Sequence, residues 1–392
     1  MALSEEKPKG EGPADAPSWS QMGLRQKIKH LYSNISVEPP LLLYIVPSLL
    51  SSITIENMYL EKACRVSLNY NEGVCDSVTK RNVTNETEAF QVEVSETVAG
   101  MLVWQSALGT VFPIALVLCA GSWSDRRRRR KPLILFPLFG DVLMRVGLLL
   151  STVFFYEVSL EMTAVIEVIF PALTGGGTVF ILAICSYVGD ITSPEKRTFR
   201  LGMVWAVLSW VNPIGTALSG VGHAALGFTG MFAVGIAFNL LGIAYAHLYL
   251  PEPRAPIPRP EGVSFVSDFF NWRHVWDTMR VGLKSGAGSY RLQFLLVVIL
   301  HIVTVGPQSG EGVVSFLYVT TRFKWDDITV STFTTYIVIL NAVGKFPQQV
   351  LCIFKEMSLY SICHLRTVKW SFPSCFLIFC YVFCVTRVRA RN

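Results

Sequence analysis

Ionisable side chains lie inside apolar runs of this chain, where charge is costly and therefore often functional. Asp141 and Arg145 are four residues apart, which places them on one helical face within ion-pair reach. They either brace a helical bundle or serve a pathway through it, and the spacing is compatible with both. Glu56, Glu167 and Glu311 fall in the outer halves of three different runs. Gly306, Pro307, Gly310 and Gly312 loosen the helix around Glu311, and unwound backbone at membrane depth is tolerated where it lines a cavity. A carboxylate in such a place can exchange a proton; the other reading of Glu311 is an acid snorkelling to the interface. Glu56 and Glu167 are expected closer to the interface. Gln308, Asn212, Asn239 and Asn341 either line a path or hydrogen-bond one helix to another.

Enzyme chemistry finds no foothold. There is no Gly-x-Ser-x-Gly elbow, Walker loop, His-Glu-x-x-His or paired Cys-x-x-Cys, and the histidines are scattered. The expectation is a protein that is not an enzyme and needs neither metal nor cofactor.

The elements that must position these residues are long apolar helices. Of 392 residues 51% are apolar and 16% charged, against about 25% charged in an average soluble domain, and the mean hydropathy is +0.44. Runs long enough to cross a bilayer occur at about 39–60, 98–120, 133–156, 160–188, 201–222 and 227–250, then at 292–318 and 328–354. A short run at 370–386 sits at the lower length limit for a ninth span. The chain divides into a hydrophilic tail (1–37), a six-helix bundle (38–250), a proline-rich then amphipathic linker (251–290), a partial second bundle (291–354) and an atypical tail (355–392). The linker's amphipathic part, rich in Phe, Trp and Arg, is expected to lie along the membrane surface.

Charge sets the orientation. Gly121-Ser122-Trp123-Ser124-Asp125 runs into Arg126–Arg130 and Lys131, and Asp190 is followed by Lys196, Arg197 and Arg200. Basic loops stay on the cytoplasmic side, which also places the N-terminus there. Basic runs can address nucleic acid, but apolar spans on both flanks argue against it here. On the other side, the polar segment 61–94 carries glycosylation sequons at Asn82 and Asn85. It also holds Cys64 and Cys75, which a local disulfide can join in an oxidising compartment. The sequon at Asn34 falls on the inner side and is expected to go unused.

The small residue, acid and basic cluster of Gly121, Asp125, Arg126, Arg129 and Arg130 resembles the loop between the second and third helices of major facilitator transporters. Ser186-Tyr187-Val188-Gly189-Asp190-Ile191, with Arg197-Thr198-Phe199-Arg200, is similar to the corresponding loop after helix four in solute carrier family 46, the proton-coupled folate transporter group. Gly121–Asp125, Asn69-Tyr70-Asn71, and Leu317-Tyr318 with Trp325-Asp326 fit the same group. The resemblance covers roughly 39–354. It implies an all-α membrane protein of major facilitator type, with a complete first half and an incomplete second. It also implies alternating-access, proton-coupled uptake of a small organic solute at a plasma or endolysosomal membrane, with lipid as surroundings and no nucleic acid. Trp205, Gln308 and Lys324 stand where the folate branch has a carboxylate, a histidine and a cysteine, so folate itself is not the expected solute. Eight or nine spans fall short of twelve. That leaves a second expectation, a truncated membrane protein that does not transport and acts as a regulatory partner or receptor.

Overall fold

The structure is a computed structural model. It describes residues 37–79 and 88–258 throughout, and single residues and short runs between 261 and 340. The described elements are helical: α1 (Glu38–Leu50), α2 (Ser52–Lys62) with a π-helical turn (Ala63–Ser67), α3 (Glu72–Thr79), α4 (Glu88–Arg127), α5 (Lys131–Val153), α6 (Leu160–Thr174), α7 (Gly176–Ile191), α8 (Pro194–Tyr249) and α9 (Phe265–Phe269). No strand occurs among the described residues. Among the described residues five stretches are long and apolar enough to cross a membrane: Glu38–Ser67, Ala89–Arg127, Lys131–Val153, Leu160–Ile191 and Phe199–Tyr249.

Breaks between and within helices follow from particular residues. Pro47 sits inside α1, and Ser51 donates its hydroxyl to the Pro47 carbonyl at 2.8 Å, closing the α1–α2 junction. Gly175 ends α6 in the left-handed region at φ 86°, where a side chain would be strained and would meet Val179. Helix α8 counts 56 residues, roughly 84 Å at 1.5 Å per residue, far more than a bilayer's thickness. It is broken at Gly227 (φ 62°, ψ −169°) into two legs, 194–226 and 228–249.

The arginine stretch differs from the sequence expectation. Helix α4 continues through Arg127, so Gly121 and Asp125 are helical, and the connection to α5 is only Arg128–Arg130. Arg128 takes a left-handed φ of 56° to make so short a turn. Asp125 therefore lies in the last turn of α4 and does not cap α5. The acid at the start of α5 is Glu252, which accepts from the Arg130 and Lys131 amides at 2.8 and 3.4 Å.

Helix α8 packs against α1 and α5, α5 also packs against α6 and α7, and α4 lies against α6 and α7. The larger core lies toward the arginine turn and includes Leu41, Trp123, Leu138, Phe180 and Tyr187, with Tyr44 stacked on Phe180 at 4.2 Å. A second core at the opposite end gathers Tyr59, Cys64, Cys75, Val98 and Leu160. Met58, Met144, Leu148 and Phe232 form a third core. Large apolar side chains on α4 and α5 remain exposed, Val103 at 71% and Val153 at 64% among them, as suits helices facing hydrocarbon.

Candidate functional site

Asp141 and Arg145 lie ten and fourteen residues into α5, roughly 15 and 21 Å from its start and so near the middle of a bilayer of about 30 Å. Both are buried, Arg145 to 1% exposure. Arg145 Nε donates to Asp141 Oδ2 at 2.9 Å, Nη1 to Ser51 Oγ at 2.8 Å and Nη2 to Ser48 Oγ at 3.3 Å. Asn239 Nδ2, from the second leg of α8, donates to the same Asp141 oxygen. Gly235 allows this guanidinium its place, since a Cβ there would stand 2.8 Å from Arg145 Nη1. Three elements thus converge on one ion pair. Its donors are largely satisfied, as a charge held away from water requires.

A second polar cluster lies closer to the disulfide end. Tyr59 on α2 donates to the Glu167 carboxylate on α6, and Gln105 on α4 donates to Glu167 Oε2 at 2.6 Å and to Tyr59 Oη at 2.8 Å. Glu167 is half-buried and within electrostatic reach of Arg145, so the two clusters share one field. A carboxylate with a phenol and an amide as neighbours can hold or release a proton while keeping hydrogen-bond partners in both states. Glu56, also on α2, is half-buried.

The arginine turn forms the third assembly. Arg130 is nearly enclosed and forks between Asp125 Oδ1 and Asp190 Oδ2, both at 2.8 Å, and also donates to Ser124 Oγ at 2.7 Å. Burial works against its charge, but Asp125 and Asp190 outweigh it and hold its pKa above the ordinary arginine range. Arg254 reaches the other Asp190 oxygen at 3.0 Å. Asp268 on α9 is buried and takes Arg127 at 2.6 Å, Arg126 at 3.1 Å and the Trp123 indole N–H at 3.1 Å. Hydrogen bonds from Arg127 above all, with burial opposing and Arg126 helping, hold its carboxyl down at about 2. Residues 251–258 run along this end of the bundle, with Tyr187 donating to the Pro251 carbonyl and the Ile257 amide to Arg127 O. Arg200 pairs with Glu38 at 3.1 Å. Arg197 is half-buried, beside Gly189. Arg129 points outward.

At the opposite end Cys64 and Cys75 form a disulfide. Lys62 is fully buried and donates to the Phe155 and Val158 carbonyls at 2.9 and 2.6 Å. Glu311, Gln308, Asn82 and Asn85 lie outside the described residues. Lys62, Tyr59, Gln105, Glu38 and Asp268 were not singled out from the sequence. Lys62 and Glu38 stand at the ends of an apolar run, and Asp268 is the lone acid among aromatic residues. Each left a trace, but none named its partner. Among the described residues no group of His, Cys, Asp and Glu could hold a metal ion.

Residues 66–385 match the family model described as Major Facilitator Superfamily. The chain is 20% identical over 306 residues to the Drosophila melanogaster protein named "Probable peptidoglycan muropeptide transporter SLC46", covering 76% of this chain and 57% of that one. It is 22% identical over 219 residues to the Gallus gallus "Lysosomal proton-coupled steroid conjugate and bile acid symporter SLC46A3", covering 55% of this chain and 46% of that one. It thus spans about half the length of these curated relatives. The fold is similar to the crystal structure of the human organic anion transporter MFSD10 (TETRAN), at TM-score 0.52 and 15% identity over 89% of this chain and 82% of the other.

Proposed function

Because the chain belongs to the major facilitator superfamily, we propose that it serves secondary active transport of a small organic solute, coupled to protons by alternating access. The observation that carries this reading is Glu167, a carboxylate inside the helical bundle held by Tyr59 and Gln105 from two other helices and lying in the field of Arg145. Intramembrane acids of this kind are the usual proton carriers of transporters. Glu311 is the second carrier to consider, on the sequence argument alone. The Asp141–Arg145 pair, tied to α1 and α8, is placed to hold those helices together as the bundle moves. The relatives' names point to the solutes to try first: a steroid conjugate, a bile acid and a muropeptide.

For orientation we propose the arginine turn and the N-terminus in the cytosol, following the positive-inside rule. The Cys64–Cys75 disulfide at the other end suits a lumenal or extracellular side. One relative's name includes lysosomal residence, which favours an endolysosomal membrane over the plasma membrane.

The test is uptake by full chain reconstituted into liposomes, with a radiolabelled steroid sulfate and a labelled muropeptide. An imposed pH gradient should drive accumulation that a protonophore abolishes. Glu167→Gln should remove gradient-driven accumulation and leave solute exchange, because the amide keeps the size and mimics the protonated acid. Glu311→Gln is the parallel arm. Folded protein that moves neither solute would overturn the transport reading in favour of a regulatory partner or receptor.

A further inference from the structure

Arg129 opens onto a cavity of about 400 Å³ at the arginine-turn end of the bundle. Trp123, Arg127, Phe136, Ile257 and Phe265 line it with Arg129, and the Asp268 carboxylate reaches its wall. The charges are unequally engaged. Arg126 and Arg127 are committed to Asp268, whereas Arg129 makes no side-chain hydrogen bond or ion pair with the described residues. Two guanidiniums, Arg127 and Arg129, and one carboxylate line the cavity, which leaves it one positive charge for an anion.

Its position selects the kind of anion. Phe136, at the cavity wall, begins an exposed apolar stripe on α5 that continues through Phe139, Val146, Leu150 and Val153. These recur at helical spacing and form one face directed toward hydrocarbon. The cavity therefore sits where a lipid-facing surface meets a polar end, the depth of phospholipid headgroups. Phe265 on α9 closes the other wall with its ring more than two-fifths exposed.

We infer that this cavity binds the headgroup of an anionic phospholipid, with Arg129 holding the phosphate and Phe136 and Phe265 flanking the start of an acyl chain. Arg127 stays with Asp268 and shapes the floor. Basic pockets beside membrane helices on the cytoplasmic side are suited to such headgroups. Free phosphate offers the same oxygens but gains nothing from the aromatic walls.

The test uses full-length protein in mild detergent, with dioleoyl phosphatidylserine, dioleoyl phosphatidylcholine and inorganic phosphate as probes and native mass spectrometry as readout. Wild type should retain one phosphatidylserine in preference to phosphatidylcholine. Arg129→Gln should lower that retention about fivefold, the weight of one basic side chain near an anionic lipid. Phe136→Ser should lower it too. Arg128→Gln should leave it unchanged, because Arg128 is also exposed but lies outside the cavity. Equal losses from the two arginine variants would mean diffuse surface charge and overturn the site. Displacement of the lipid by millimolar phosphate would also overturn it, by showing that the acyl chain contributes nothing.

Discussion

Arg130 Nε donates to Asp190 Oδ2 across 2.8 Å, joining the turn before α5 to the end of α7, sixty residues further along the chain. The same guanidinium holds Asp125, so a single side chain fastens three helix ends. A lysine cannot span both carboxylates, since its ammonium is a point charge without the fork. Arg130→Lys should lower the denaturation midpoint in mild detergent, and Arg130→Met should cost about 3 kcal/mol, as when one partner of a buried ion pair is removed. A midpoint unchanged in both variants would show that Arg254 alone secures Asp190.

Asp268 makes the docked linker acid-sensitive in a defined window. Its carboxyl is held down at about 2, below the ordinary aspartate value of about 3.9, so the folded state favours the charged form. The contribution is therefore complete above about pH 4 and fades as pH falls toward 2. Pepsin should cut within 251–270 slowly at pH 4 and faster at pH 2. Asp268→Asn should admit trypsin after Arg254 at neutral pH, where the wild type resists. Similar cutting of both proteins at pH 7 would show that the proline run docks without Asp268.

The pair on α5 should reveal itself in a double-mutant cycle. Arg145→Leu leaves Asp141 buried with Asn239 as its remaining partner and should cost about 3–5 kcal/mol. Adding Asp141→Leu should recover much of that loss, because two apolar residues no longer strand a charge. Gly235→Ala should act on the same pair from outside, pushing the guanidinium off its hydroxyls at a cost of about 1–3 kcal/mol. Thermal unfolding of wild type, the Arg145→Leu and Asp141→Leu single variants and the double variant gives the coupling. Additive losses would separate the two residues energetically.

Topology is open to labelling at Arg128, an exposed residue of the turn. Arg128→Cys, in a background without other reactive cysteines, should resist impermeant maleimide on intact cells and react after permeabilisation. Removal of N-glycans should shift the wild type on a gel but not an Asn82→Gln, Asn85→Gln variant. Labelling of intact cells would reverse the orientation.

What the sequence revealed and what it hid divide by distance along the chain. Helical runs, the four-residue step from Asp141 to Arg145, and the nearness of Cys64 to Cys75 are local, and periodicity or separation exposes them. The partners that give these residues meaning are remote. Asn239 reaches Asp141 across 98 positions, Tyr59 reaches Glu167 across 108, and Trp123 reaches Asp268 across 145. No spacing rule carries that information, because it arises only when helices pack. Helix ends were misplaced for a related reason. The charges of Asp125, Arg126 and Arg127 argued for a loop, yet Asp125 pairs with Arg130 in the turn and both arginines with Asp268 on α9, and α4 continues through them.

The contacts of Pro251, Glu252, Arg254, Ile257 and Asp268 also set how much slack the chain has on leaving this bundle. By composition the tether begins at Pro251. Mechanically it begins later, because 251–258 and α9 are both fastened to the bundle. Free, 251–258 alone would add roughly 26 Å of reach at about 3.3 Å per residue; clamped, it contributes none. Any swing between this bundle and the rest of the protein must pivot beyond Phe269, and the proline run travels with the helices as part of their floor.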